Sequence, residues 1–465
     1  MRHLKLLSLL SIPSLALLVS GCGGGNSIGH TTQAITFDNP GTQTVGAPLT
    51  LSATANSGLT VSFTSATPGV CTISGTTATF GTAGTCTIDA SAVGNSTYAA
   101  ASQVAQSFTV NPAIGSNTTI YIAGYAISTA SSASSVVNVA ELWQLTSGSP
   151  TATATALSTP NGMTSAQANA IAVSGNDVYV AGYADASADN ATAVLWVNGA
   201  ATTLPTPSGM TASQASAITV SGSDVYVAGS ADTSADNATA VLWVNGTATT
   251  LPPPGGLANS WASGIAVSGS NVYVVGTAWN NSNDNTAVYW LNGVVTTLAM
   301  PSGLTNNYYA EGIAVSDSNV YVSGITLPSA GTDTAIYWVN NGAAMTLPIP
   351  PNDTAGNYGA GGITVSGSDV YVAGGGTSGT TGDTNAAYWM NGTATTLPMP
   401  SNTTYAPGGN SVAGEIAISG SDVYSVGYVG ISNAAYWVNG GAATLLPMPS
   451  GTYESWAGAI AVATQ

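Results

Sequence analysis

Few side chains in this sequence could carry chemistry, and nearly all of them are carboxyls. After Lys5 the chain contains no lysine or arginine, and His30 is its last histidine. An imidazole base, a Schiff-base lysine and a cationic clamp are therefore excluded from most of the chain. Glu311 and Glu415 each stand just ahead of an Ile-Ala-Val or Ile-Ala-Ile segment. Paired carboxyls can cleave a glycosidic bond, so these two are the candidate residues for a glycan-cleaving enzyme.

Two further sets of residues could bind ligands. One set spaces carboxylates as a Ca²⁺ loop does, but it lacks the glutamate that closes such a loop, and solvated polar loops are the other explanation: Asp185, Asp189, Asp232 and Asp236. The second set consists of aromatic residues in loop-rich segments, which could stack on sugar rings or pack against the protein: Trp261, Trp279, Tyr308, Tyr309, Tyr358 and Trp456. No other cofactor is indicated.

Charge excludes whole classes of partner. The chain carries 19 acidic residues, and its two cations are Arg2 and Lys5. Nucleic-acid binding needs Lys and Arg to neutralise phosphates, and attachment to anionic lipid needs the same residues. Neither is expected. Because 44% of the residues are hydrophobic, the chain should nevertheless fold.

The N-terminus has the pattern of an export signal. A short basic segment precedes an apolar run from Leu6 to Val19, and Val19-Ser20-Gly21-Cys22 follows. This stretch resembles the bacterial lipobox, which implies removal of residues 1–21 and a lipid on Cys22. Residues 22–33 then form a flexible tether. The resemblance implies a lipid-anchored protein of the bacterial envelope, at the outer membrane or cell surface; an ordinary signal peptide is the alternative.

Residues 34–112 predict a small β-sandwich. Short alternating runs such as Leu49–Ala53 are separated by Gly, Pro, Asn and Ser. Cys71 and Cys86 are the only cysteines besides Cys22, and in an exported chain they predict a disulfide worth about 3 kcal/mol. The pattern resembles the bacterial Ig-like modules of surface proteins, in residues such as Ile35-Thr36-Phe37 and Val70-Cys71-Thr72.

Residues 117–465 contain an internal repeat. Seven Ile-[Ala/Thr]-[Val/Ile] segments, seven Tyr-centred strands and seven Trp-centred strands recur, the Trp residues being Trp143, Trp196, Trp243, Trp290, Trp338, Trp389 and Trp437. Each unit reads as four short antiparallel strands with an Asn-Gly hairpin before the last. This is typical of a β-propeller, here with seven blades of four strands.

The two ends of the repeat region complement each other. The first unit lacks an Ile-Ala-Val strand, and the chain ends on one at Ile460. We therefore expect the last strand to close the ring. The repeat resembles the bacterial extracellular repeats of the HAF family through its Ala, Trp, Asn-Gly turn and closing Leu, but it lacks that family's characteristic histidine. The resemblance implies location and fold more than mechanism.

Glu141 stands where later units have Val194, Val241 and Val288. Two explanations are open: a buried carboxyl with a raised pKa, or an irregular first blade, which we favour.

Long loops follow the second and fourth strands of each unit and share one rim, where we expect ligands to bind. The leading interpretation is a monomeric, non-catalytic recognition or adhesion module that binds glycans or surface proteins. The alternative is a carboxylate- or metal-dependent glycan-cleaving enzyme.

Overall fold

The structure is a computed structural model. It describes residues 30–111, 118–129, 136–146, 151–186, 190–233, 237–280, 282, 284–301, 307–328, 331–351, 353, 356–378, 383–400, 410–430 and 432–464. Every regular element in these ranges is a β-strand. The all-β class is therefore confirmed. None of the described segments forms a helix that could cross a membrane.

The first part of the described chain is a small all-β unit with its own core. Its strands are β1 (Ile35–Thr36), β2 (Gln43–Thr44), β3 (Leu49–Thr50), β4 (Thr54–Ala55), β5 (Ser62–Ser65), β6 (Cys71–Ser74), β7 (Thr77–Phe80), β8 (Gly84–Ser91) and β9 (Val104–Asn111). They form sheets ordered β2-β9-β8-β5, β3-β7-β6 and β1-β4. Phe63, Phe80 and Phe108 are buried between the sheets. The predicted Cys71–Cys86 disulfide is confirmed and joins β6 to β8.

Residues 118–464 form seven four-stranded antiparallel sheets. The first combines the two ends of this region: β10 (Thr118–Thr129), β11 (Val136–Thr146), β12 (Thr153–Ala156) and β37 (Thr452–Thr464). Sheets two to four comprise β13 (Ser165–Ser174), β14 (Asp177–Asp185), β15 (Thr192–Val197), β16 (Ala200–Thr203); β17 (Ala212–Ser221), β18 (Asp224–Asp232), β19 (Ala238–Val244), β20 (Thr247–Leu251); and β21 (Asn259–Ser268), β22 (Asn271–Trp279), β23 (Asn285–Leu291), β24 (Val294–Thr297).

Sheets five to seven follow the same order. They comprise β25 (Tyr308–Ser316), β26 (Asn319–Thr326), β27 (Thr334–Val339), β28 (Met345–Thr346); β29 (Asn357–Ser366), β30 (Asp369–Thr377), β31 (Thr384–Met390), β32 (Thr393–Thr396); and β33 (Ser411–Ser419), β34 (Asp422–Val429), β35 (Asn433–Val438), β36 (Thr444–Leu445). In each of these sheets the strands pair in chain order, so short loops suffice to connect them.

The tight turns are held together by side chains. In the third sheet Asn245 (φ 49°) and Gly246 (φ 80°) both adopt the left-handed conformation that a two-residue hairpin requires. The Asn245 Oδ1 accepts a hydrogen bond from the Val225 amide at 2.9 Å, and its Nδ2 donates to Asp224 at 2.8 Å. The Asn-Gly turn after the third strand is thus joined to the turn after the first strand. The same bridge recurs at Asn198, Asn292, Asn340, Asn391 and Asn439.

The sheets form a closed series. Each innermost strand contacts the next, from β13 through β17, β21, β25, β29 and β33 to β37, which also contacts β13. Strand β37 pairs with β10, which is the pairing that the orphan strand predicts. The indole N–H of Trp143 donates to the Pro447 carbonyl at 3.0 Å, joining the first sheet to the segment after the last. The other six repeat tryptophans donate to the preceding sheet in the same way. The architecture is therefore β-propeller-like.

A glycine in the second strand of each sheet is required by a close approach of the backbone. The carbonyl oxygen of Trp261 occupies the position that a Cβ on Gly276 would take. A bulge immediately after Trp261 turns that carbonyl toward Gly276. The same contact is found at Gly124, Gly182, Gly229, Gly324, Gly374 and Gly427. These glycines allow the bulges that shape the centre of the ring.

Candidate functional site

The innermost strands enclose a narrow central cavity of about 140 Å³. Each of these strands has a β-bulge just before its repeat isoleucine. On β25, for example, the register shifts between Ala310 and Ile313. The bulged residues line the cavity together with the isoleucines. They are Asn169, Ala170, Ser216, Ala217, Ser263, Gly264, Glu311, Gly312, Glu415 and Ala459.

Glu311 and Glu415 are brought together in this cavity, as lining groups on β25 and β33. Both side chains are half-buried. Desolvation raises the pKa of each carboxyl to about 7. For Glu415, a hydrogen bond from the Ile416 amide acts in the opposite direction and favours the ionised form. The sequence contains no lysine or arginine after Lys5 that could pair with either group.

The Glu415 carboxyl has a defined place because its neighbour has no side chain. A Cβ on Gly362 would overlap both oxygens of Glu415. The carboxyl therefore lies over the bulge of β29, the strand between β25 and β33. A larger residue at position 362 would displace it, so this glycine positions a functional group.

The other polar residues of the cavity serve mainly to join neighbouring strands. The Ser263 hydroxyl donates to the Ala310 carbonyl at 2.7 Å, and the Asn169 amide donates to the Ala215 carbonyl at 2.9 Å. Behind the cavity wall, the buried Ser323 bridges the Gly312 amide and the Gly361 carbonyl. Since these groups are engaged with backbone, the two glutamates are the groups of the cavity best suited to proton transfer.

Aromatic side chains lie where the inner strands approach the cavity. Trp261 is 42% exposed, and its ring centre is 5.2 Å from that of Trp279 on the neighbouring strand. Trp456 stacks on Tyr125 at 4.9 Å, with 21° between the ring planes. Tyr309 is half-buried. Desolvation, and then the nearby charge of Glu311, raise the pKa of its hydroxyl. Tyr125 was missed in the sequence because no motif distinguishes it.

Two aromatic residues of the predicted rim are not available to a ligand. Tyr308 and Tyr358 are 3% and 2% exposed and pack against Trp338 and Trp389. The Tyr358 hydroxyl also donates to Asp353 at 2.6 Å. Expecting these two as exposed binding residues was wrong, because the preceding sheet covers them. Their role is to fill the interface between sheets.

Glu141 is a second correction. It is 1% exposed, in a regular strand paired with both β10 and β12, so the first sheet is not irregular there. Its Oε2 has no hydrogen-bond partner. Desolvation raises its pKa to about 7. Of the two explanations, the buried carboxyl is the one observed.

The calcium hypothesis falls only partly on described residues. Asp185 and Asp232 end β14 and β18, and desolvation raises the pKa of both. Asp189 and Asp236 lie outside the described residues, as does Cys22. In the described part of the chain, no three His, Cys, Asp or Glu residues come together as a metal site would require. Calcium binding stays a prediction.

Among known proteins, this chain is similar to solved structures in fold only. No protein-family model matches the chain, and no curated protein matches it. Similar solved structures include a puromycin-hydrolysing peptidase of Mycobacterium tuberculosis (12% identity, TM-score 0.42, covering 70% of this chain and 53% of the peptidase). A quinoprotein alcohol dehydrogenase-like protein of Bacteroides thetaiotaomicron is 11% identical over 91% of this chain and 96% of its own (TM-score 0.39). An arabinanase of Bacillus subtilis is 8% identical over 49% and 98% (TM-score 0.31). This chain spans about half the length of the peptidase.

The expectation of a non-catalytic recognition module was wrong. The similar structures include several glycoside hydrolases besides the arabinanase. All are 8–13% identical to this chain, so their substrates are not transferred to it.

Proposed function

We propose that this protein hydrolyses glycosidic bonds with Glu311 and Glu415. One observation carries the proposal: two carboxyls with pKa values of about 7 line the same small cavity. A carboxylic acid with a pKa near 7 can hold its proton at neutral pH and still release it during a reaction. A pair of such groups is what acid-assisted cleavage of a glycosidic bond requires.

We assign the roles of the two carboxyls from their surroundings. Glu415 accepts a hydrogen bond from the Ile416 amide, which stabilises its carboxylate form. Glu311 has desolvation as its only resolved influence, which favours its protonated form. Glu311 is therefore the acid that protonates the leaving oxygen as the glycosidic bond breaks. Glu415 is the carboxylate that stabilises the positive charge developing at the anomeric carbon. Water supplies the new hydroxyl there, and its remaining proton passes to the Glu311 carboxylate, which restores the acid.

The charge of the chain supports neutral glycans as substrates. An acidic surface with no lysine or arginine repels polyanions but not uncharged sugars. A panel of neutral polysaccharides (arabinan, xylan, mannan and mixed-linkage glucan) incubated in H₂¹⁸O tests the proposal. Hydrolysis predicts new reducing ends that carry one ¹⁸O atom, detected by mass spectrometry. No release from any member of the panel, or unlabelled unsaturated products, would contradict it.

We further propose the finer architecture that the repeats indicate. Residues 117–465 would be a seven-bladed propeller closed by its C-terminal strand, with HAF-like repeats, and residues 34–112 an Ig-like module. The series of seven sheets and the separate N-terminal core support this division. Limited proteolysis of the purified protein tests this division. If the two parts are separable, mass spectrometry should show two stable fragments that result from cleavage between residues 111 and 118.

Location is proposed from the leader alone. Cys22 would carry a lipid that anchors the protein, as a monomer, in the bacterial envelope, facing the outer membrane or cell surface. Replacing it (Cys22→Ser) should move the protein from the detergent-extracted to the soluble fraction or leave the leader uncleaved. Unchanged membrane extraction and mature mass would contradict lipidation.

A further inference from the structure

Two aromatic pairs lie toward the end of the central cavity at which the innermost strands begin, here called its mouth. Trp261 lies two residues before the bulged Ser263, which lines the cavity with Gly264 and Ile265. Trp456 lies two residues before the bulge of β37, after which Ala459 and Ile460 line the cavity. A strand advances about 3.3 Å per residue, so each tryptophan is within about three residues, roughly 10 Å, of the wall. Both pairs therefore lie close to the cavity that the carboxyls line.

The pairs lie on different sides of the mouth. Going around the ring of innermost strands, β37 with Trp456 is followed by β13, β17 and then β21 with Trp261. Three strand-to-strand steps separate them in one direction and four in the other, so they are as far apart as a seven-membered ring permits. The equivalent residues on β13 and β17 are Gln167 and Gln214, which interrupt the aromatic series. The two pairs are thus separate aromatic surfaces on opposite sides of the ring.

The cavity itself is too small to enclose a long ligand. Its volume of about 140 Å³ is below the roughly 300 Å³ at which pockets begin to enclose whole small molecules. A chain that reaches Glu311 must therefore lie over the mouth and not pass through the ring. Glu311 lies two residues after Tyr309 on β25, as Ser263 lies two residues after Trp261 on β21.

We propose that the mouth binds an extended, uncharged polysaccharide on both aromatic pairs at once, so that bonds inside the chain are cleaved. The proposal rests on the proposed hydrolase function and adds the size of the substrate and its direction across the mouth. Aromatic faces supply the affinity, because hydrogen bonds to sugar hydroxyls largely exchange with those to water. Tyr125 and Trp456 form one subsite, and Trp261 and Trp279 form the other.

Binding is tested first, because it does not depend on catalysis. Each polysaccharide of the panel is cast in a native gel, and retardation is measured for Glu311→Gln protein with the mouth otherwise intact. In the same background, Trp261→Ala and Trp456→Ala should each raise the dissociation constant at least tenfold. Gln214→Ala, at the equivalent position of β17, is the matched control and should change it less than twofold. No retardation by any polysaccharide, or equal loss in the control, overturns the proposal.

The position of cleavage is tested on the wild-type protein. Internal cleavage predicts that viscosity falls steeply while few reducing ends have formed; release of single sugars from the ends would overturn it. Trp261→Ala and Trp456→Ala should raise KM for the polymer at least tenfold and leave kcat within twofold. If the polymer binds but no protein releases sugar, the hydrolase proposal fails and the binding surface stands. If both variants release sugar with unchanged KM, the hydrolase proposal stands and the proposed binding surface fails. Circular dichroism confirms that each variant is folded.

Discussion

Replacing Glu141 should remove a pH-dependent loss of stability. The folded-state pKa is about 7, against an ordinary value of 4.5, so the unfolded chain releases this proton first as the pH rises. Both states are protonated well below pH 4.5, and the group then has no effect on the free energy of unfolding. Between pH 4.5 and 7 the unfolded state alone is ionised, and stability falls; above pH 7 the loss is complete. A difference of about 2.5 pKa units corresponds to about 3 kcal/mol.

The substitution that the other sheets suggest is Glu141→Val, because Val194, Val241 and Val288 occupy the same position. Its advantage over the wild type should increase by about 3 kcal/mol between pH 4 and pH 8. Guanidinium unfolding followed by tryptophan fluorescence measures it, since all ten tryptophans lie after residue 142. Glu311 and Glu415 have the same sign of dependence, but they are present in both proteins and cancel. Asp317→Asn, an exposed change of the same charge, is the control. An advantage that is independent of pH would refute the reasoning.

Three other predictions test separate parts of the structure. Replacing both Cys71 and Cys86 with Ala should destabilise the N-terminal unit by about 3 kcal/mol, seen by circular dichroism, without shifting the tryptophan-detected transition; a shift there would contradict independent cores. Gly276→Ala should cost about 3 kcal/mol because its Cβ overlaps the Trp261 carbonyl, whereas Gly255→Ala, which has open space, should change little; equal melting temperatures would contradict the bulge account. The pH–rate profile should have its maximum near pH 7, falling at low pH as Glu415 is protonated and at high pH as Glu311 ionises; a plateau extending above pH 9 would exclude Glu311 as the acid.

Much of the strand pattern could be predicted because each repeat carries local signals. The Asn-Gly turns, the alternation around each Trp and the orphan strand at Ile460 are properties of short segments, and the strands form where those segments predict them. The two glutamates of the cavity were also identifiable, since Glu311 stands two residues, and Glu415 one residue, before a repeat isoleucine. Their proximity follows from the ring, which brings the starts of the innermost strands to one cavity.

Burial that depends on a neighbouring sheet could not be predicted in this way. Tyr308 and Tyr309 are adjacent, so they point to opposite faces of β25, and no local signal shows which face the preceding sheet covers. Glu141 was misjudged because a carboxyl without a cation is costly to bury, yet protonation lowers that cost. No local signal in the sequence explains the second-strand glycines; the bulged carbonyl above each one does.

The rate of glycan hydrolysis by variants of Glu311 and Glu415, the two carboxyls of the central cavity, tests the central claim most directly. Glu311→Gln and Glu415→Gln keep the size of each side chain and remove its titration, while Asp317→Asn makes the same change in an exposed turn. On the polysaccharide that the wild type cleaves fastest, we expect kcat to fall by roughly 10²-fold to 10⁴-fold in each glutamate variant. In Asp317→Asn it should fall less than twofold. A wild-type kcat in Glu311→Gln and Glu415→Gln would place the chemistry elsewhere and contradict the account.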